Sequence, residues 1–208
     1  MWARMDDART APTNPFAVET ARIAMSWKNT TDRYGSMSIG MHWVMLLLLI
    51  AVYALINLRE LYPRGSDPRE AMKMWHYMAG LSVLMLVFAR LAIRAAGQTP
   101  RLNPEARAWQ HRLAMSTHFA LYLFMIVMPL LGWLNLSASG KPILLLGWQL
   151  PSLVDANEGL AAQVKEIHET IGTVGYYLIG LHAAAALFHH YVLRDKTLVR
   201  MLPHANKP

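Results

Sequence analysis

The strongest constraint on the fold is a long run near the carboxyl end that contains histidines and almost no ionised side chain. Residues 168–191 read HETIGTVGYYLIGLHAAAALFHHY, and no Asp, Glu, Lys or Arg occurs from Thr170 to Leu193. A run of this length can cross the hydrocarbon core of a bilayer as one helix. Because polar groups inside such a helix are costly and usually functional, the run predicts a membrane helix organised around its imidazoles.

Two of these histidines share one face of the predicted helix. His182 follows His168 by fourteen residues. That spacing corresponds to about 21 Å of helical rise, and the two directions agree within roughly 40°. The side chains therefore point the same way at two depths, which suggests two cofactors stacked along the helix.

Composition excludes several other classes of protein. The chain has 208 residues, 54% of them hydrophobic, and no cysteine. Without cysteine there is no thiolate-ligated iron–sulfur cluster, no disulfide and no covalent c-type haem. The net charge of +7 would suit nucleic acid, but the basic residues flank apolar runs, so we expect contact with anionic membrane lipid and no nucleic-acid binding. The sequence contains no glycine-rich phosphate loop, the motif that would indicate a nicotinamide or flavin domain.

Four apolar runs predict an all-α integral membrane protein, a four-transmembrane-helix bundle. The predicted spans are about 36–58, 74–95, 113–137 and 168–193, within one domain at 34–203. Residues 1–33 are expected to be a disordered cytoplasmic tail without a signal peptide, with Met25 as an alternative start, and 204–208 a short second tail. Arg90 and Arg94, near the end of the second span, are expected to reach the headgroups.

The distribution of basic residues predicts that both termini are cytoplasmic. Ten Lys and Arg residues near the membrane fall on the side of the termini, and six fall on the other side. The first group is Lys28, Arg33, Arg94, Arg101, Arg107, Arg112, Arg194, Lys196, Arg200 and Lys207, and the second is Arg59, Arg64, Arg69, Lys73, Lys141 and Lys165. Cytoplasmic loops carry the excess of positive charge, so the termini are placed inside.

The connection between the third and fourth spans has two parts. Its first part, PILLLGWQLP at 142–151, is apolar and contains a tryptophan, so we expect it in the outer membrane interface. In the second part Asp155 and Asn157 are candidate helix caps. The fourth helix is therefore expected to begin near Asn157, outside the membrane.

Depth sorts the histidines into an outer and an inner group. With both termini inside, only His76 and His168 fall near the outer face, and a low-spin haem needs two axial ligands at one depth from facing helices. Gly80 and Gly172 each lie four residues after one of these histidines, where a missing side chain would leave clearance for a porphyrin edge. The alternative is that these glycines only let helices pack closely.

Spacing leaves the inner pair open. His42, His118, His182 and His189 all fall in the inner half of the predicted bundle. His182 shares a face with His168 and His42 is its obvious opposite, but span boundaries are uncertain by a turn. For His118 and His189 a hydrogen bond between helices is the competing interpretation. His111, His190 and His204 lie at or beyond the membrane edge and are expected to be solvated.

Three segments resemble the bacterial cytochrome b561 family of the inner membrane, in particular its four-helix dihaem members described as superoxide oxidases. The segments are SIGMHW at 38–43, KMWHYMAG at 73–80 and the histidine run at 168–191, and the resemblance extends from about 34 to 203. It implies two haem b groups, with axial ligands to the haem iron from His42 and His182 for the inner haem and from His76 and His168 for the outer haem. It also implies a supporting or quinone-side role for His118 and His189. A further histidine on the third helix of some members corresponds to Met115 here.

The resemblance implies an oxidoreductase that carries electrons from the outer face to the quinone pool, oxidising superoxide to dioxygen and reducing ubiquinone. Iron with two imidazole ligands has no open position, so electron transfer would be outer-sphere and no catalytic side chain is predicted. Basic residues near the outer haem, above all Arg59, Arg64 and Lys73, could steer superoxide. Membrane anchoring and pairing with haem propionates are equally ordinary roles for them. No obligatory protein partner is evident.

Two alternative functions use the same histidines. The first is a haem b subunit that relays electrons between quinone and a separate periplasmic dehydrogenase or cytochrome. The second is a divalent-metal transporter, which would need Asp or Glu beside histidine within the membrane. The only acidic candidates, such as Glu169, lie at the edge of a span.

Overall fold

A computed structural model describes residues 27–30, 34–97, 108–145 and 147–202. It contains four long α-helices: α1 (Ser36–Leu58), α2 (Asp67–Ala96), α3 (Ala108–Ala138) and α4 (Glu158–Tyr191). Each is long and apolar enough to cross a membrane, which confirms the predicted fold class. The predicted start at Met25, most of the tail at 1–33 and the tail at 204–208 lie outside the described residues.

Capping and first-turn residues, rather than the length of each apolar run, set where α2 and α4 begin. α2 begins seven residues before its predicted span, with a proline in the first turn beside Asp67 and Glu70. Proline at this position and acidic groups near the positive end of the helix dipole both favour initiation there. α4 begins where expected, because the side-chain oxygen of Asn157 accepts a hydrogen bond of 2.9 Å from the Leu160 amide.

The helices pack in sequence order around a central apolar cluster. α1 contacts α2, α2 contacts α3 and α3 contacts α4. The buried cluster comprises Met45, Val83, Leu84, Val87, Phe124 and Met125. Many large apolar side chains point outward instead, including Leu47, Phe119 and Tyr177. Membrane lipid would cover such a surface at little cost, since it is as apolar as the side chains.

A tightly packed layer lies at the middle of α4. A Cβ added to Gly175 would collide with the Tyr53 hydroxyl of α1 and the Phe124 ring of α3. The Tyr53 hydroxyl also donates a hydrogen bond of 2.7 Å to the Gly172 carbonyl. Gly175 is seven residues from both His168 and His182, so this layer separates the levels of the two histidines.

The connection between α3 and α4 contains a β-hairpin that the sequence analysis did not predict. β1 (Ile143–Leu145) pairs antiparallel with β2 (Trp148–Leu150), and Gly147 adopts a positive φ of 86° in the turn. Ile143 is buried against Leu81 and Leu136. The apolar segment expected to lie in the membrane interface is therefore partly packed against α2 and α3, while Trp148 remains exposed.

Candidate functional site

The first pair of histidines joins α2 and α4. The ring centroids of His76 and His168 are 6.4 Å apart, with an angle of 72° between the ring planes. Nδ1 of His76 lies 2.8 Å from the Val52 carbonyl oxygen. Because a carbonyl can only accept, this ring must carry its proton on Nδ1, which leaves the lone pair of Nε2 free for a metal. Nδ1 of His168 is buried and makes no hydrogen bond of acceptable geometry within the described residues.

The second pair joins α1 and α4. The ring centroids of His42 and His182 are also 6.4 Å apart, with an interplanar angle of 68°. A third imidazole, that of His118 on α3, lies 5.5 Å from His182. The structure thus brings three of the four inner candidates together. The separation of His42 from His182 matches that of the outer pair.

Both pairs have the spacing that a shared metal ion requires. A coordinating imidazole nitrogen lies about 2 Å from its metal, so rings on opposite sides of one ion have centroids about 6 Å apart. Neither pair is joined by a direct hydrogen bond in the described residues. The residues therefore fit an iron held between two axial imidazoles at each level.

The packing around the pairs leaves room for a planar group. α4 runs along α3, whereas within the described residues its backbone approaches α1 and α2 much less closely. Both pairs bridge these wider separations. A Cβ added to Gly80 would meet nothing within 4 Å, while one added to Gly172 would meet the Met128 methyl group at 3.5 Å. The predicted clearance is therefore present at Gly80 and smaller at Gly172.

A third glycine was missed by the sequence analysis. A Cβ added to Gly132 of α3 would lie 3.5 Å from Cε1 of His168. The absence of a side chain at this position lets α3 pass close to the outer pair. No spacing rule connects Gly132 with a histidine on another helix, so only the packing reveals it.

His189 is not part of the inner group of imidazoles. Its Nδ1 lies 2.6 Å from Oδ2 of Asp195, just beyond the end of α4. Burial raises the pKa of the Asp195 carboxyl, but hydrogen bonds from His189 and Thr197 outweigh this, and the pKa lies below its ordinary value. Nearby, Nε1 of Trp43 donates a hydrogen bond of 2.7 Å to the Met201 carbonyl. These contacts attach the segment after α4 to the bundle.

Carboxylates neutralise most of the basic residues expected around the outer pair. Arg69 is buried and binds both carboxylate oxygens of Glu60 at 2.9 Å. Arg59 also contacts Glu60, at 3.0 Å, and Lys73 contacts Glu70 at 2.6 Å. Arg69 therefore holds the α1–α2 connection together, and two of the three residues proposed to steer superoxide are engaged in ion pairs.

The remaining charge at this end of the bundle is small. Between 58 and 74 and between 139 and 170 the sequence contains six basic and seven acidic residues. Lys165 lies 3.8 Å from Glu169. Arg64 and Lys141 form no ion pair within the described residues. The expected positive surface is thus reduced to these two side chains.

Arg90 departs from the expectation that it would reach the headgroups. Its Nε donates a hydrogen bond of 3.2 Å to the Tyr122 hydroxyl of α3. Its Nη1 is buried and makes no hydrogen bond within the described residues. The side chain turns into the bundle because α3 offers the hydroxyl as an acceptor. Arg94, one turn later, is exposed as expected.

Comparison with known proteins finds a family model and several relatives that match most of this chain. The sequence model of the prokaryotic cytochrome b561 family matches residues 33–204. Cytochrome b561 homolog 1 of Escherichia coli (strain K12) is 40% identical over 172 residues, covering 83% of this chain and 98% of that protein. A protein of Yersinia pestis named probable superoxide oxidase CybB is 38% identical over 171 residues, covering 82% of this chain and 96% of that protein. Cytochrome b561 homolog 2 of Escherichia coli (strain K12) is 28% identical over 180 residues, covering 86% and 95% of the two chains.

Proposed function

The chain belongs to the prokaryotic cytochrome b561 family, a family of membrane electron-transfer proteins with b-type haem, and from this premise we propose that it carries two haems and transfers electrons from superoxide to ubiquinone. The observation that supports two haems is the repetition of one geometry. Two histidine pairs with ring centroids 6.4 Å apart lie at two levels of α4. A single haem would leave one of these pairs without a function.

The protein orients one of the four proposed ligands through a backbone hydrogen bond. His76 and His168 would bind the outer haem, and the Val52 carbonyl fixes the tautomer of His76. His42 and His182 would bind the inner haem. Haem b would supply reversible one-electron oxidation and reduction, and with two imidazoles holding its iron it would exchange electrons without bonding to the substrate. The packed layer at Gly175 keeps the two levels apart.

Superoxide is proposed as the electron donor because of the relative from Yersinia pestis. That protein is named a probable superoxide oxidase and is 38% identical to this chain. In the proposed reaction two superoxide ions lose one electron each and become two molecules of dioxygen. One ubiquinone accepts both electrons with two protons and becomes ubiquinol. Of the basic residues expected near the outer pair, Arg64 and Lys141 remain outside ion pairs in the described residues, and we propose that they attract the anion.

The quinone is proposed to bind at the inner end, near His118 and His189. His118 is exposed and lies 5.5 Å from His182, so it is accessible to a lipid-soluble molecule. His189 with Asp195 could donate a proton. With both termini cytoplasmic, as the basic residues indicate, this end faces the cytoplasm of a bacterium and the domain at 34–203 spans its inner membrane.

A second function is favoured by the charge of the outer end. Six basic and seven acidic residues there give little attraction for an anion. A haem b subunit that relays electrons between quinone and a separate periplasmic protein needs no such attraction. The metal transporter has no comparable support, since the described residues contain no group of three or more side chains suited to a metal ion.

A superoxide pulse given to the purified protein separates the two functions. The proposal predicts reduction of haem by superoxide in the absence of ubiquinone, and formation of ubiquinol when ubiquinone is present. Haem that is reduced by dithionite but not by superoxide would contradict the proposed donor and favour the relay. The His190→Ala variant is a suitable control, because His190 lies outside both histidine pairs and its ring packs against the neighbouring Tyr191 ring.

A further inference from the structure

Arg90 occupies on α2 the position that His182 occupies on α4. It follows His76 by fourteen residues, the same interval that separates His182 from His168. That interval corresponds to about 21 Å along the helix and a direction within roughly 40°. Arg90 therefore lies on the face of α2 that carries an outer ligand, at the level of the inner histidines. It is also close enough to His42, His118 and His182 to act on each of them electrostatically.

The described residues supply no anion for this guanidinium. None of the ion pairs includes Arg90, and Asp195, the acidic residue just beyond the inner end of α4, is engaged with His189. The sequence has no Asp or Glu in 34–59, 71–104, 106–154 or 170–194. Tyr122 contributes a neutral oxygen only, and Nη1 has no partner at all within the described residues.

A cation in this position needs a negative partner. Burying an unpaired charge in a membrane interior is costly, and such residues pair with an anion or face a site that contains one. A guanidinium binds a carboxylate through parallel hydrogen bonds. The carboxylates that belong at this level are the propionate groups of a haem held by His42 and His182, since ubiquinone is uncharged. This step rests on the proposed function.

We propose that Arg90, oriented by Tyr122, binds a propionate of the inner haem and raises the reduction potential of that haem. The effect of Arg90 on the potential is electrostatic. Ferric haem carries one positive charge more than ferrous haem, so a fixed cation nearby disfavours the oxidised state. Loss of the cation also leaves the propionate uncompensated, and its negative charge stabilises ferric iron further. Both effects lower the potential when Arg90 is neutralised. In the native protein the charge of Arg90 raises the potential of the inner haem, and this favours electron transfer from the outer haem to the inner one.

The test is a redox titration of purified protein with haem counted per chain. Arg90→Gln should retain both haems and lower one of two potentials. We expect at least a tenfold fall in the ferrous-to-ferric ratio of that haem at a fixed applied potential, which is about 59 mV for a one-electron couple. Arg90→Lys keeps the charge and should stay close to wild type. Arg94→Gln, one turn along the same helix and exposed, should lower the potential by much less than Arg90→Gln, since solvent screens an exposed charge.

The outcomes separate this inference from the proposed function. Wild-type protein without two haems would refute the dihaem assignment itself. Two haems with unchanged potentials in Arg90→Gln would refute the role of Arg90, and so would an equal fall in Arg90→Lys. Loss of the inner haem alone from the Gln variant, with both haems kept by the Lys variant, would support the propionate contact. If Arg90→Gln does not accumulate in the membrane, Tyr122→Phe replaces it. That variant should lower the same potential by a smaller amount, and unchanged potentials would overturn the inference.

Discussion

His76 and His168 are separated by the same 6.4 Å between ring centroids as His42 and His182, although the two pairs join different helices. α4 contributes one histidine to each pair, while α2 and α1 contribute the others. Histidines that merely filled a core would have no reason to repeat one separation. The equality is explained if each pair is spaced by the same chemical group.

The space beside His76 can be tested with a larger side chain. Gly80→Leu should reduce the haem content to about one per chain, because a Cβ at Gly80 has no protein neighbour within 4 Å and a leucine would fill the space proposed for the porphyrin. Absorbance spectra with haem counted per chain provide the measurement. Gly40→Leu is the matched control, since Gly40 also has open space around it and is exposed on α1. Equal haem content in both variants would contradict the assignment of this space.

The packed layer between the two levels predicts a strong effect at Gly175. Gly175→Ala should lower the free energy of unfolding by about 1 to 3 kcal/mol, the usual cost of inserting a methyl group into a filled core. The added carbon would collide with Tyr53 and Phe124. Thermal unfolding in detergent measures the change. Gly180→Ala should have little effect, since nothing lies within 4 Å there. A wild-type melting temperature for Gly175→Ala would show that the close contact does not exist in the protein.

The charges at the outer end give a prediction about rate. Arg64→Gln combined with Lys141→Gln should slow the reduction of haem by superoxide at low salt, because these basic residues form no ion pair within the described residues. The difference from wild type should shrink as salt is added, since exposed charges are screened. Stopped-flow absorbance measures both effects. Lys165→Gln, which removes a cation that lies 3.8 Å from Glu169, should have a smaller effect. Identical rates and salt dependence in all three proteins would rule out electrostatic steering.

Asp195 predicts a loss of stability in acid. Its pKa is below the ordinary value of 3.8 in the folded protein, so the stabilisation it provides is present above that value and is lost as pH falls through the lower, folded pKa. Asp195→Asn should therefore be less stable than wild type at pH 7, and the difference should disappear in strong acid. Melting temperatures across this range measure it. Asp155→Asn, in an exposed loop, is the control. A difference in melting temperature that is the same at all pH values would show that ionisation of the Asp195 carboxyl is not its cause.

Much of the fold followed from the sequence because membrane helices are specified by length and hydrophobicity alone. The start of α4 was also predictable, since Asn157 is a residue type that caps helices and it precedes a helical apolar pattern. The hairpin at 143–150 was not, because its apolar residues suit a membrane interface equally well. Gly147 was the one local signal of a turn.

Part of the candidate site could likewise be predicted from the sequence, and part could not. The outer pair followed from depth, since His76 and His168 were the only histidines available there. The inner pair did not, because His42, His118, His182 and His189 all fall in the inner half and the sequence defines the span boundaries only to within a turn. Arg90 was misinterpreted since its environment depends on Tyr122 of another helix. The ion pair of Glu60 with Arg69 was also missed, since it depends on how the α1–α2 connection folds back onto α2.

The most direct measurement is the haem content of the purified protein and of two single variants, His76→Ala and His182→Ala. The dihaem assignment predicts two b-type haems per wild-type chain in a reduced-minus-oxidised spectrum, and the loss of a different haem from each variant. A wild-type protein without haem, or variants that both retain two haems, would contradict it.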